Sequence, residues 1–324
     1  MRFGVQIGAL DWVALRDTAQ MAEGLGFDAV YFPDHLVHEG PERSRTDLPA
    51  YDPIVQAAVV AEATRRVRVG HLVLCNLFRH PAVTARSLAT LDALSGGRAL
   101  AGLGTGWTET EFRMTGLPFP DIATRLRMLD EALACLAGLW GEGPFSFQGE
   151  FYRFRDATLL PRPVQRPRPP ILLGGGGRGL LRLAAKHADA LNIIGAVGRR
   201  GYISLAGVGK LGDDPFRAKV RFVREEAARL GRDPRAIAIS NVTFTTVVAA
   251  SPADAAETAG RFAAMLGTSR DAIRRAPLFL IGTAEECVAE IRRRARDWEV
   301  EEVVIAFAGE EMLRRFGTEV LPRV

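Results

Sequence analysis

The feature that most constrains the fold is a regular alternation of short apolar runs with helical segments along the whole chain. Each apolar run is nearly continuous, as expected for a strand of a parallel sheet that is buried on both faces. The segments between the runs carry apolar residues at helical spacing, and several begin with Asp or Pro, which favour helix N-termini. The eight predicted strands are Phe3–Ile7, Ala29–Phe32, Val67–Leu74, Arg98–Leu103, Ile171–Leu173, Ala190–Ile194, Ala236–Val248 and Glu302–Phe307.

Eight strand–helix units over 324 residues are the number that a (β/α)8 barrel requires. A doubly wound parallel sheet is the competing architecture. We predict one barrel domain over residues 1–324, with long connections of the kind that usually carry function in compact domains. The predicted helices include Trp12–Leu25, Pro81–Leu94 and Ala284–Trp298, and the predicted insertions are residues 38–51, 140–169, 195–215 and 267–282. Within the second insertion, the runs on either side of Gly149 predict a β-hairpin.

The composition is that of an ordinary globular protein. Hydrophobic residues make up 48% of the chain and charged residues 25%, which excludes a disordered or fibrous chain. We find no apolar stretch long enough for a membrane helix and no signal-peptide region, so we expect a cytoplasmic protein. The net charge is +4 and the arginines are mixed with acids, which favours a solvated surface over a nucleic-acid site. Because Cys75, Cys135 and Cys287 include no CxxC pair, neither disulfides nor a cysteine zinc site is expected.

The first candidate site residues follow the second predicted strand. In a barrel the active site lies at the carboxyl ends of the strands, so Asp34 and His35 are placed to bind a ligand or to transfer a proton. A loop-capping aspartate beside a structural histidine is the alternative. His38 lies three residues further on, which makes a metal site conceivable, but the first strand is not followed by an HxH signature. We therefore predict no bound metal.

Three further strand ends carry groups suited to a flat, anionic ligand. Arg79 and His80 precede a predicted helix start where an anion could bind, although an ordinary loop explains them equally well. The glycines before Trp107 let a flat molecule approach the backbone and the indole offers a stacking face; a tight turn with a packed indole is the alternative. The run Gly174–Gly177 with Arg178 leads into a helix and could cradle a phosphate. It matches GxGxxG, but no acid follows at the spacing of a nicotinamide-dinucleotide site.

Taken together, these segments resemble the bacterial luciferase-like superfamily, and more closely its branch of oxidoreductases that use the deazaflavin coenzyme F420. The resemblance extends from residue 1 to about residue 194 and also includes Pro277–Thr283. The segments that carry it are Phe3–Gln6, Ala22–Asp28, Asp34–Leu36, Phe78–Ala82, Ala89–Arg98, Gly104–Trp107 with Glu111, and Gly174–Gly177 with Leu183–Ala185 and Ala188–Asp189.

The resemblance implies a (β/α)8 barrel with lid insertions that holds the coenzyme across the carboxyl ends of its strands. A non-prolyl cis peptide under the coenzyme ring would fall at Leu72–Val73, and Asp34 would hydrogen-bond the ring. His35 would stand near the hydride-bearing carbon as acid, base or anion stabiliser. Cys75 and Asn76 would flank the ring and the ribityl chain, and Gly106 and Trp107 would line the substrate side, where Trp107 would be a catalytic residue together with His35. The residues implied around the phosphate are Gly174, Gly175, Gly176, Gly177 and Arg178.

The function that the resemblance implies is hydride transfer between F420 and a small organic substrate with a C=C, C=N or C=O group, or an alcohol in the reverse direction. The alternatives are a monooxygenase that uses reduced FMN, a flavin-binding barrel without turnover and, outside the superfamily, a metal-dependent hydrolase. Some dehydrogenases of the branch have a glutamate where this chain has Trp107, which argues against a sugar-phosphate substrate and for a more apolar substrate face. The resemblance also implies a homodimer, whereas the charge pattern and hydropathy predict no nucleic-acid or membrane partner.

Overall fold

The fold is a closed barrel of parallel strands, seen in a computed structural model that describes residues 1–8, 10–39, 44–45, 49–194 and 212–324. Neighbouring strands are hydrogen-bonded all the way round the ring, and the closing contact joins Ile171–Leu173 to Ala101–Leu103. This closure confirms the predicted (β/α)8 barrel and excludes an open, doubly wound sheet. In ring order the strands are β1 (Arg2–Gln6), β2 (Ala29–Phe32), β5 (Arg68–His71), β7 (Ala99–Gly104), β10 (Ile171–Gly174), β11 (Ala190–Asn192), β12 (Ala238–Thr243) and β15 (Val300–Ala306).

The remaining strands of the described residues comprise Leu74–Cys75, which pairs with the carboxyl end of β7, and three two-stranded sheets outside this ring. They are β3 (His38–Glu39), β4 (Ser44–Arg45), β6 (Leu74–Cys75), β8 (Phe145–Gln148), β9 (Arg153–Ala157), β13 (Thr245–Val248) and β14 (Phe279–Gly282). The strands β8 and β9 form an antiparallel hairpin, which confirms the prediction around Gly149. Half of the predicted insertion 38–51 and most of the predicted insertion 195–215 fall outside the described residues, which omit 40–43, 46–48 and 195–211.

Helices surround the barrel, and their starts follow local signals in the sequence. Asp11 and Asp52 accept hydrogen bonds from the first turns of two helices, and Thr283 forms a capping box with Glu286 at a third. None of the helices in the described segments is long and apolar enough to cross a membrane. They are α1 (Trp12–Leu25), α2 (Pro53–Ala63), α3 (Pro81–Leu94), α4 (Glu109–Thr115), α5 (Ile122–Leu139), α6 (Arg178–His187), α7 (Asp213–Arg229), α8 (Pro252–Leu266), α9 (Arg270–Arg275), α10 (Ala284–Trp298) and α11 (Glu310–Arg315), with short helical turns at Pro234–Ala236, Phe316–Val320 and Leu321–Arg323.

The barrel has one apolar layer between strands and helices and a second one inside the ring. Inside, the hydroxyl of Tyr31 donates to Glu302 at 2.9 Å. Burial, reinforced by this carboxylate, raises the pKa of Tyr31 well above its ordinary value. A filled interior means that a ligand must bind at an end of the barrel rather than within it. The inner cluster consists of Ala29, Tyr31, Leu100, Leu172, Val242 and Val304.

Two predicted strands are each divided, and one predicted insertion contains a helix and a strand. The strand predicted over Val67–Leu74 is interrupted by a cis peptide bond between Leu72 and Val73, and the strand predicted over Ala236–Val248 divides at Phe244, after which β13 pairs with β14. The predicted insertion 267–282 consists largely of regular secondary structure. That segment contains α9 and β14, and its residues Leu278–Ile281 are buried because they form an apolar run that packs against α8.

Asp130 ties α5 to α6 through an ion pair whose strength depends on pH. Its carboxylate accepts hydrogen bonds from His187 Nε2 at 2.5 Å and from Lys186 Nζ at 2.8 Å. The bond from His187, followed by that from Lys186, lowers the pKa of Asp130 to about 2. A carboxyl with a folded pKa below its unfolded value stabilises the fold above that unfolded value and loses the contribution as the pH falls through the folded pKa.

We therefore expect Asp130→Asn to lower the free energy of unfolding at neutral pH by only about 1 kcal/mol, since the carboxylate is 35% exposed and solvent screens it. The difference from the wild type should shrink as the pH falls from about 4 towards 2, because the wild-type carboxylate is then protonated too. Urea denaturation at a series of pH values measures both quantities. A difference that is independent of pH would contradict an ionic origin.

Candidate active site

The predicted site residues come together at one end of the barrel. The strands β2, β5, β7 and β10 are consecutive neighbours in the ring and run parallel, so their carboxyl ends lie on the same face. Each end leads directly into one of the predicted segments. We refer to this region as the mouth; it consists of Asp34 and His35, Leu72–Asn76, Gly104–Trp107 and Gly174–Arg178.

The floor of the mouth is formed by Val73, next to the cis bond that the resemblance implied at Leu72–Val73. The side chain of Val73 lies between two strand-end glycines: a Cβ on Gly104 would lie 2.7 Å from Val73 Cγ2, and one on Gly174 would lie 2.8 Å from Val73 Cγ1. The side-chain amide of Gln6 donates a hydrogen bond to the carbonyl of Leu72 at 2.8 Å. These two glycines therefore make room for a protein side chain, whereas sequence reasoning assigned such glycines to the approach of a ligand.

Asp34 is buried and anchors the loop that follows β5. Its two oxygens accept hydrogen bonds from Arg79 at 2.6 and 3.1 Å, and one of them also accepts the Cys75 N–H at 2.8 Å. Burial outweighs these bonds and raises the pKa of Asp34. Arg79 also contacts Asp52, so its charge is matched by carboxylates and it fits the ordinary-loop alternative rather than an anion site. A bond from Asp34 to a coenzyme ring stays a prediction.

His35 lies between a buried carboxylate and the indole at the mouth. Its Nδ1 is 3.1 Å from Glu111 Oε1, and its ring meets that of Trp107 edge-on, with centroids 5.5 Å apart. Glu111 is 2% exposed and comes from α4, one helical turn after Trp107. The structure thus brings together the two predicted catalytic residues. Sequence reasoning noted Glu111 only as part of a motif and gave it no role.

Cys75 and Asn76 line the mouth next to the hairpin insertion. The side chain of Asn76 donates to the Tyr152 hydroxyl at 3.4 Å, and the His80 ring lies edge-on to Tyr152. Gly106, at φ 72°, is packed so that a Cβ would lie 2.6 Å from Cys75 Sγ. Tyr152 is therefore a further mouth residue, which the strand-end rule could not reveal because it belongs to the insertion.

All three cysteines are buried, which predicts unreactive thiols. Burial raises the pKa values of Cys75, Cys135 and Cys287 to about 12. Since the thiolate is the reactive form, we expect iodoacetamide to leave all three unmodified in the folded protein over a period that suffices for complete modification in urea. Mass spectrometry of the two samples measures this. Rapid modification of Cys75 alone would show that the mouth opens beyond the described arrangement.

The glycine run after β10 offers backbone donors and a nearby lysine. The N–H of Gly175 donates a hydrogen bond to the carbonyl of Asn192 at 3.0 Å. The N–H groups of Gly176 and Gly177 donate to no residue in the described ranges. Lys219, on α7, donates to the carbonyl of Gly176 and forms no ion pair with any described carboxylate. Burial lowers the pKa of Lys219. The donors near the run are thus Gly176, Gly177 and Lys219. Arg178 is exposed and lies over the ring of Phe222.

Arg125 is a second half-buried cation for which the described residues provide no acidic partner. It donates from Nη1 to the carbonyl of Gly106 at 2.5 Å and lies over the ring of Phe119 at 4.1 Å. Its Nε is buried and has no hydrogen-bond partner, and it pairs with no carboxylate of the described chain. Buried cations normally have a counter-charge, so Arg125 and Lys219 leave this end of the barrel suited to an anionic ligand. The described residues contain no cluster of three or more potential metal ligands.

The architecture defines the class of protein: a (β/α)8 barrel whose candidate site lies at the carboxyl ends of its strands. The chain belongs to the family of luciferase-like monooxygenases, whose sequence profile matches residues 3–302.

Curated relatives match parts of the chain. The FMNH(2)-dependent dimethylsulfone monooxygenase of Pseudomonas putida is 42% identical over 109 residues, which are 34% of this chain and 30% of that protein. The F420-dependent glucose-6-phosphate dehydrogenases of Intrasporangium calvum and Kineococcus radiotolerans are 35% and 37% identical over 58% and 60% of this chain, and 55% and 53% of their own length. The chain therefore spans about half the length of these dehydrogenases and less of the monooxygenase.

Solved structures share the fold over nearly the whole chain. An F420-dependent secondary alcohol dehydrogenase in complex with an F420–acetone adduct has a TM-score of 0.79 at 21% identity and covers 100% of this chain and 98% of its own. A long-chain alkane monooxygenase has the same TM-score at 16% identity, with coverages of 99% and 90%. At these identities the similarity establishes the fold alone.

Proposed function

We propose that the protein is an oxidoreductase that transfers a hydride between coenzyme F420 and a small organic substrate. The observation that carries the proposal is His35, held by a buried carboxylate and an indole at the same end of the barrel as the glycine run. The F420-dependent dehydrogenases among its relatives support the choice of coenzyme.

The residues at the mouth fit a coenzyme with an anionic tail. The N–H groups of Gly176 and Gly177 have no acceptor among the described residues, and Arg125 and Lys219 have no carboxylate partner there. Such groups favour phosphate. When bound, F420 supplies the hydride chemistry. His35 would supply the proton that completes the reduction of a C=O or C=N group, or remove it from an alcohol in the reverse reaction.

The substrate is proposed to be less polar than a sugar phosphate. The related dehydrogenases act on glucose 6-phosphate by name. The resemblance, however, aligns Trp107 of this chain with a glutamate of such enzymes, and Trp107 lies against His35. The indole of Trp107, next to the proton-transferring His35, would provide an apolar surface that excludes water from the reacting atoms.

Oxygenation with reduced FMN is the second candidate, because the chain is 42% identical to an FMNH(2)-dependent monooxygenase over 109 residues. Titration of the purified protein with F420 and with FMN, each in oxidised and reduced form, separates the two. We expect tight binding of F420 and weak binding of FMN; the reverse order would overturn the proposal. A screen of aldehydes, ketones, imines and enones with reduced F420 in the absence of oxygen then tests turnover, and binding without any turnover would favour a flavin-binding role.

A further inference from the structure

Glu111 offers a single oxygen to three groups of the segment that follows β2. Besides its 3.1 Å contact with His35 Nδ1, Oε1 accepts the backbone N–H of Leu36 at 2.6 Å and lies 3.4 Å from that of Val37. A backbone N–H can only donate, so this oxygen acts as an acceptor. The group that His35 presents to the same oxygen must then be a donor. Nδ1 therefore carries the proton, and in a neutral imidazole Nε2 is left as the acceptor.

We infer that Glu111 is the positioning residue for His35. It holds the proton on Nδ1, assigns proton transfer to Nε2, and stabilises the imidazolium that forms when Nε2 takes a proton. This inference rests on the proposed function, in which His35 transfers that proton. The ring of Trp107 packs edge-on against the imidazole of His35 and also limits its rotation. Among the described residues next to this unit, Asp34 pairs with Arg79, and the thiol of Cys75 is neutral at ordinary pH.

The first test is Glu111→Gln, which keeps the size of the side chain and an oxygen for Leu36 and Val37 but removes the charge. We expect kcat to fall by at least about tenfold while KM for the substrate and affinity for F420 change by less than about threefold. Glu111→Asp should recover part of the lost rate because it restores the carboxylate. The matched control is Glu109→Gln on the same helix, where the side chain is exposed and kcat should not change.

The second test asks whether Glu111 acts through His35. In a His35→Ala background, Glu111→Gln should have no further effect on kcat, since there is no imidazole left to position. If Glu111→Gln lowers the rate by the same factor with and without His35, Glu111 supports only the fold and the inference is lost. Thermal melts of all four proteins show whether each variant remains folded.

A third measurement does not depend on activity. Nitrogen-15 NMR of the histidines reports which ring nitrogen carries the proton, and His35→Ala identifies the His35 signals. We expect the Nδ1–H form of His35 in the wild type and a smaller share of it in Glu111→Gln. An Nε2–H form in the wild type would overturn the inference. The absence of turnover with either coenzyme, with the Nδ1–H form present, would instead defeat the proposed function and leave the positioning contact established.

Discussion

Replacement of His35 by alanine is expected to lower kcat by at least about 100-fold, because a positioned acid–base group typically contributes 10²- to 10⁴-fold. The affinity for the coenzyme should change by less than about threefold, since the donors proposed for its anionic tail lie on α5, α7 and the glycine run and His35 is not one of them. Steady-state kinetics and a coenzyme titration measure the two effects separately.

Two controls sharpen this experiment. Leu36→Ala alters the neighbouring side chain, which is 40% exposed, and leaves the backbone N–H that Glu111 accepts; its kcat should stay close to that of the wild type. Added imidazole should restore part of the rate of His35→Ala, because a free base can enter the space that the side chain leaves. Full activity in His35→Ala would show that another group moves the proton.

The largest loss of stability is expected from Gly102→Ala, in the middle of β7. A Cβ at this position would lie 1.7 Å from the carbonyl oxygen of His71 and 2.8 Å from its carbonyl carbon. Both neighbours are backbone atoms of β5, so no side chain can rotate away and the two strands would have to separate. We expect the free energy of unfolding to fall by at least about 4 kcal/mol, a size reserved for severe disruption of a core.

The matched control is Gly24→Ala in α1, where no atom lies within 4 Å of the added Cβ. Alanine should stabilise this helix by up to about 1 kcal/mol, because glycine is the weaker helix former. Urea denaturation of both variants gives the comparison. A Gly102→Ala protein with the unfolding midpoint of the wild type would mean that β5 and β7 are further apart than described.

Much of the barrel could be predicted because its signals are local. The predicted bounds of β2 and of the helices α1, α3 and α10 coincide with those observed, since apolar runs and capping residues determine where such elements begin and end. The pairing of β13 with β14 was missed because it joins segments more than 30 residues apart in the chain, and no local pattern reports such a contact. The cis bond at Leu72–Val73 followed only from the family resemblance.

The candidate site was predictable in part, for a related reason. The strand-end rule finds residues that directly follow a strand, such as His35 and Trp107. Glu111, Arg125 and Lys219 lie on helices and reach the mouth only through packing. Lys219 did leave a signal: no acidic residue lies three or four positions before or after it, so it has no partner within its own helix.

Val73 and its neighbour Leu72 pack directly on the cluster inside the barrel, and this has a consequence for proton movement. The aliphatic side chains of Leu100, Leu172, Val242 and Val304 belong to that cluster and have no hydrogen-bonding groups with which to pass a proton along the barrel axis. These side chains thus offer no proton relay between the Tyr31–Glu302 pair and the mouth. We therefore expect the protons exchanged with His35 to come from the side of the rim rather than through this aliphatic layer.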